Sequence, residues 1–125
     1  MKVLIIEDEP LVARMYEKAL TFEKFEVICA VGGKDGIEEA KKNKPDIILM
    51  DIMMPEMNGI EALDIIKSDP VTSDIPVVML TNLSGIHDME LAKEKGAEDY
   101  WVKKDIKPRE MGEKIKKIFG SKHLY

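Results

Sequence analysis

Short apolar runs recur along the chain at intervals too long for hairpins: Val3 to Ile6, Phe25 to Val31, Ile47 to Met50, Val77 to Leu80, and Tyr100 to Val102. Antiparallel strands can close with a two-residue turn, whereas parallel strands need a crossover of about a dozen residues or more. The segments between the runs have that length. They also carry apolar residues at helical spacing: Leu11, Met15, Ala19 and Leu20, then Ile37 and Ala40, then Ile60, Leu63 and Ile66. Strands alternating with helices predict a parallel sheet covered on both faces. A last helix starts near Pro108, a favoured first-turn proline, and turns Met111, Ile115, Ile118 and Phe119 inward.

Turn residues fall between these elements. Pro10 follows Glu7-Asp8-Glu9, which places acids at a helix start where the dipole favours them. Gly96 follows Lys93-Glu94-Lys95 as a left-handed helix cap. Pro45 and Pro76 each precede a strand, and Asn58-Gly59 turns the chain into the third helix. The glycine-rich stretch Val31 to Gly36 imitates a phosphate loop without its spacing or its Ser/Thr, and is assigned to a turn.

Composition narrows the class. The 125 residues suit one domain, 1–125, that buries roughly two-thirds of its unfolded surface. No apolar run approaches the roughly 18 residues of a membrane span, and after Met1-Lys2 only Val3 to Ile6 are apolar before Glu7, so no signal peptide is read. A cytoplasmic protein without membrane contact is expected. Cys29 is the only cysteine; inside an apolar run, it is expected to be a buried, reduced thiol. A net charge of −5 disfavours direct nucleic-acid binding, which needs a basic face.

In open parallel sheets the ligand crevice lies beyond the carboxyl ends of the strands, where strand order reverses. Glu7 and Asp8 follow the first run, Asp51 the third, Thr81 the fourth and Lys103 the fifth, while the second ends in Gly32-Gly33. In a flavodoxin-like (βα)5 doubly wound sheet of order 2-1-3-4-5, strands one and three are neighbours and three carboxylates meet. Two like charges about 4 Å apart repel by about 4 kcal/mol at an effective dielectric of about 20, so a cation is expected among them. Hard oxygen ligands suit Mg²⁺, which keeps several waters and leaves positions for phosphate oxygens. His87 and His123 lie elsewhere, away from any transition-metal set. Lys103 adds a compact cation and Thr81 a hydroxyl donor, which completes the parts of a phosphoryl site.

These residues resemble the receiver domains of two-component response regulators over essentially the whole chain. The matching pieces are Ile6-Glu7-Asp8-Glu9, Asp51 through Gly59 (DIMMPEMNG), Thr81, and Gly96-Ala97-Glu98-Asp99-Tyr100 leading to Lys103; Asp35-Gly36 with Glu39-Ala40 matches the second helix. The resemblance implies that Asp51 accepts a phosphoryl group from a sensor histidine kinase or phosphotransfer protein in a Mg²⁺-dependent reaction. It implies that Asp8 ligates the ion, Glu7 assists through water, and the Met53 backbone carbonyl completes the protein ligands. Thr81 and Lys103 would bind the phosphoryl oxygens, and Tyr100 would be the aromatic switch. The chain would then be a signalling switch rather than an enzyme of metabolism, a monomer or a phosphorylation-dependent dimer. Its downstream partner would bind helix four, strand five and helix five, around Met89, Tyr100 and Arg109. The chain ends soon after helix five, leaving no room within it for a DNA-binding output domain. One departure stands out: the family's proline after this lysine, with its cis bond, is replaced by Lys104, so the Lys103-Lys104 bond is open between cis and trans.

Each residue taken singly also has a structural reading. Glu7, Asp8 and Glu9 alone are a capping cluster, Asp51 alone a turn residue, Thr81 with Ser84 a helix cap, and Lys103 beside Lys104 a surface lysine. Tyr100 and Trp101 are both expected to be packed, and at least one of Met53, Met54 and Met57 to fill the core. The rival function is a metal-dependent phosphohydrolase with Asp51 as nucleophile, similar to the haloacid dehalogenases. Those place a general-acid aspartate two residues on, where this chain has Met53.

Overall fold

The computed structural model describes residues 1–82 and 85–123. Five strands, β1 (Lys2–Ile6), β2 (Glu26–Ala30), β3 (Ile47–Met50), β4 (Val77–Thr81) and β5 (Asp99–Val102), alternate with α1 (Pro10–Phe22), α2 (Gly33–Asn43), α3 (Gly59–Ser68), α4 (Ile86–Glu94) and α5 (Met111–His123). The sheet is parallel throughout in the order β2-β1-β3-β4-β5. This is the doubly wound arrangement expected from the apolar runs. The helix-cap alternative for Ser84 lies outside the described residues.

The central strands are buried on both faces, so their sequences read as continuous apolar runs rather than alternating ones. Alternation still decides which helix each side chain meets. Leu4, Ile6, Ile48, Met50, Val77 and Met79 pack with α2, α3 and Ala92 of α4. Val3, Ile5, Ile47, Leu49, Val78 and Trp101 pack on the other face with α1 and α5. Among the described residues no helix is long and apolar enough to cross a membrane.

Local signals set the element ends. Asn58 caps α3 in a reciprocal box: Glu61 N–H donates to Asn58 Oδ1 at 2.9 Å, and Asn58 N–H donates to Glu61 Oε1 at 3.1 Å. α4 closes with Gly96 at φ 105° as its left-handed residue; Gly96 N–H reaches Lys93 O and Ala97 N–H reaches Ala92 O, the two bonds of a Schellman cap. Pro108 opens a 3₁₀ turn, Pro108–Glu110, that runs directly into α5.

Four expectations need correction. Leu11 and Met15 do not face the core: they are 82% and 47% exposed, and α1 instead buries Ala13, Tyr16 and Leu20. α1 is apolar on two sides, so spacing alone admits either face; the close entry from β1 through Pro10 selects the side the sheet sees. Cys29 is exposed, because β2 is an outer strand whose covering stops at the partly buried Val27. The second strand is shorter than the run from Phe25 to Val31, spanning Glu26–Ala30. The Val31–Gly36 stretch is a turn only through Gly32, since α2 begins at Gly33.

Gly59, at the start of α3, lies so close to the Asp51 loop that a Cβ there would overlap the Asp51 backbone oxygen. Gly59 N–H also donates to Ile52 O at 2.8 Å. Gly59→Ala is therefore expected to destabilise the protein by about 1–3 kcal/mol in urea unfolding, despite the better helix propensity of alanine. Unchanged or higher stability would show that the Asp51 loop is not held against α3.

Candidate functional site

Glu7 and Asp51 stand where two strands have formally ended, yet both remain tied to the sheet. Glu7 N–H donates to Ala30 O at 3.0 Å, and Asp51 N–H donates to Ile6 O at 3.1 Å. These bonds extend the ladders by one residue and carry each carboxylate on a rigid support. The alternation continues as well: Val3, Ile5 and then Glu7 on one strand, Ile47, Leu49 and then Asp51 on its neighbour, Trp101 and then Lys103 two strands away. Three charged side chains thus emerge on the same face, each one alternation beyond a buried apolar residue of its own strand: Ile5, Leu49 and Trp101.

Lys103 Nζ lies 2.6 Å from Glu7 Oε2 and 3.0 Å from Asp51 Oδ2, donating to both. The side chains are nearly enclosed, at 11% exposure for Lys103, 2% for Glu7 and 8% for Asp51. Lys103 is thus not a surface lysine. Asp8 is partly buried, and one carboxylate oxygen from each of Glu7, Asp8 and Asp51 lies within 4.8 Å of the others. Glu9, at the head of α1, makes no side-chain capping bond, which removes the main feature of the capping reading.

The electrostatics follow from this geometry. Burial pushes the Glu7 carboxyl up; the Lys103 hydrogen bond pulls it down and the charge of Asp51 pushes it up again, with a net rise. Burial works against the Lys103 charge, but its bonds to Glu7 and Asp51 outweigh that and hold its pKa above the usual lysine range. Three carboxylates against one ammonium leave the pocket two charges short of neutrality when all are ionised. The donor set is hard oxygen only, without histidine or cysteine, and so fits Mg²⁺ rather than a softer metal.

The remaining expected residues take distinct places. Thr81 is the last residue of β4, fully buried and in register with Val102. It continues the Val77-Met79 alternation, so it belongs to the α2/α3 face, the side on which Tyr100 also packs. Tyr100 is partly buried, and burial, Asp88 and Asp51 all push its phenol up, in that order. Met53 is 63% exposed and its N–H approaches Asp51 Oδ1 at 3.4 Å, while Met54 is buried. No peptide bond among the described residues is cis, so Lys103-Lys104 is trans and the chain leaves β5 through a 3₁₀ turn, Lys103–Asp105. A sequence-level search for ionisable groups overlooks Tyr16 of α1, 3% exposed, whose phenol feels Lys103, Glu7 and Asp51.

The chain matches known proteins over most of its length. The model of the response regulator receiver domain family matches residues 3–116. The chain is similar to the DNA-binding response regulator MtrA of Mycolicibacterium smegmatis, 33% identical over 92% of this chain and 49% of MtrA. It is also similar to protein PilH of Pseudomonas aeruginosa, 38% identical over 82% of this chain and 84% of PilH. The crystal structure of the Vibrio cholerae chemotaxis protein CheY4 superposes with a TM-score of 0.87 at 26% identity, covering 94% of this chain and 97% of that one. The chain spans about half the length of MtrA and of other curated relatives.

Because folding raises the Glu7 pKa, ionising Glu7 costs the folded state more than the unfolded one. Its contribution to stability is present at low pH and is lost as pH rises through the folded value. Glu7→Gln, which cannot ionise, should therefore gain stability relative to wild type between pH 4 and pH 8 in metal-free urea unfolding. A relative loss over that interval would contradict the burial of Glu7.

Proposed function

The chain belongs to the response regulator receiver domain family, and from that premise we propose that Asp51 is its phosphoryl acceptor, in a switch formed by residues 1–125. The observation that carries this reading is the Lys103 ammonium, 2.6 Å from Glu7 and 3.0 Å from Asp51, in a pocket that also holds Asp8. Phosphoryl transfer asks for in-line positioning and charge neutralisation more than for covalent chemistry. Asp51, fixed by its backbone bond to β1, supplies the nucleophilic oxygen. Its oxygen forms the new bond to phosphorus as the P–N bond of a kinase or phosphotransfer-protein phosphohistidine breaks, and the bonding pair leaves with the imidazole. Lys103 and Thr81 donate to the phosphoryl oxygens. Asp8, Asp51 and the Met53 backbone carbonyl would hold Mg²⁺, with Glu7 assisting through water; the ion supplies neutralisation of the transferring group's charge.

The response rests on the same groups. Moving a two-state protein from 1:99 to 99:1 takes about 5.5 kcal/mol of differential stabilisation. Two or three charge-assisted hydrogen bonds at about 1.5–3 kcal/mol each supply that amount. Thr81 and Tyr100 share a face of the sheet, so an inward shift of Thr81 opens room that Tyr100 can follow into. A cleft of about 370 Å³ lined by Ile86, Met89, Lys93, Ala97 and Tyr100 lies on the α4–β5 side and supports an output surface there, extending to α5 and Arg109. The chain acts as a binding switch, monomeric or dimerising on phosphorylation, and turns over no metabolite.

Incubation with acetyl phosphate or phosphoramidate is expected to add one phosphoryl group to wild type by intact mass, only with Mg²⁺ present, and none to Asp51→Asn. Transfer that survives in Asp51→Asn, or multiple turnover of a small phosphate ester, would overturn the reading.

A further inference from the structure

α4 buries only Ala92 among its residues. A separate stripe of the same helix, Ile86, Met89, Glu90 and Lys93, recurs at helical spacing and lines the cleft of about 370 Å³ together with Ala97, Glu98, Asp99 and Tyr100. Its apolar part is open to solvent: Ile86 is 72% exposed and Met89 37%. A concave apolar patch left uncovered marks a place where another molecule docks. The charged part is one-sided, with Glu90, Glu98 and Asp99, all exposed, against the single Lys93. Asp99 is held in place at the start of β5: its Oδ1 accepts the Tyr100 N–H at 2.8 Å and its Oδ2 the Trp101 Nε1–H at 2.9 Å. Both donors are neutral, so the negative charge of Asp99 still faces whatever enters the cleft.

We propose that this cleft takes a segment of another protein with an apolar anchor side chain between basic residues, the anchor against Ile86 and Met89 and the Lys or Arg cations toward Glu90, Glu98 and Asp99. The proposal rests on the reading of the chain as a switch with its output surface here, and it fixes the chemistry of the partner. Apolar burial supplies the affinity, and the acids supply the choice: an acidic segment would meet like charges on entry. Two segments of a second copy come near this description. α5 carries Lys114, Lys116 and Lys117, but its Met111 and Ile115 are fully buried and offer no anchor. α1 exposes Leu11 and Met15 beside Arg14 and Lys18. A cleft filled by α1 of a second copy is a head-to-tail contact, however, which cannot close into a symmetric pair and extends into rings or filaments. A different protein is therefore the favoured occupant.

The test is an NMR titration of the unphosphorylated chain with a short synthetic peptide that has a leucine between lysines. Saturable shifts are expected at Ile86, Met89 and Tyr100, and at the Trp101 indole N–H that Asp99 holds. Replacing the peptide lysines with glutamates should abolish them, and added salt should weaken them. Glu90→Lys, a change at an exposed position of α4, should leave the amide spectrum otherwise intact and lower the peptide affinity about fivefold. An acidic peptide that binds as well, shifts spread over exposed acids such as Glu38 and Glu113, or an affinity untouched by Glu90→Lys would overturn the proposal. So would self-association in a sedimentation series that blocks the peptide, since a second copy would then be the occupant. If wild type takes up no phosphoryl group, the reading of Asp51 fails, and the titration, made on unmodified protein, still decides what the cleft binds.

Discussion

The Lys103 ammonium allows two carboxylates to be buried side by side at the end of a parallel sheet. Glu7 and Asp51 each give it an oxygen, and the three side chains are nearly closed to water. An exposed ion pair of this kind would contribute little. In an enclosed site, removing one partner leaves an unpaired charge, a change that costs about 3–5 kcal/mol in comparable cases. Lys103 cannot balance Asp8 as well, so the pocket stays short of positive charge. That deficit is what makes the site receptive to a divalent cation rather than a self-contained structural bridge.

The sheet makes this arrangement possible because its strands all point the same way. Parallel strands bring their carboxyl ends to one edge, and the two-residue period carries each terminal side chain to a defined face. Glu7, Asp51 and Lys103 leave on the α1/α5 face, while Thr81 and Tyr100 belong to the α2/α3 face. Asp51 stands at the end of β3, next to β4 and its terminal Thr81, so groups on the two faces lie at the same edge of the sheet. In the proposed switch, chemistry begun on one face is thereby felt on the other, where the α4–β5 cleft opens.

The strand pattern and the strand-end residues were legible in the sequence because both depend on short-range periodicity. Five apolar runs at crossover spacing leave few topologies, and charged residues directly after such runs have little choice but the carboxyl edge. Helix facing was less legible. Leu11 and Met15 share the helical period of α1 but point to water, since a helix with two apolar sides is oriented by its tertiary docking and not by its spacing. Cys29 was misplaced for a related reason: an apolar run does not reveal that its strand lies at the edge of the sheet. The turn at Lys103–Asp105 follows from backbone geometry that the dipeptide alone leaves open. A tyrosine within an apolar helix, such as Tyr16, reads as core filling in sequence, because only the fold brings it near charged neighbours.

The account is tested most directly by following backbone amides in ¹H–¹⁵N NMR while Mg²⁺ is added to the unphosphorylated protein. It predicts one saturable set of shifts confined to residues 6–9, 51–54 and the start of the turn at 103–105, with the acidic outer surface unchanged. Shifts that never saturate, or that scatter over exposed acids such as Glu38 and Glu113, would contradict the claim that these distant carboxylates form one cation-holding pocket.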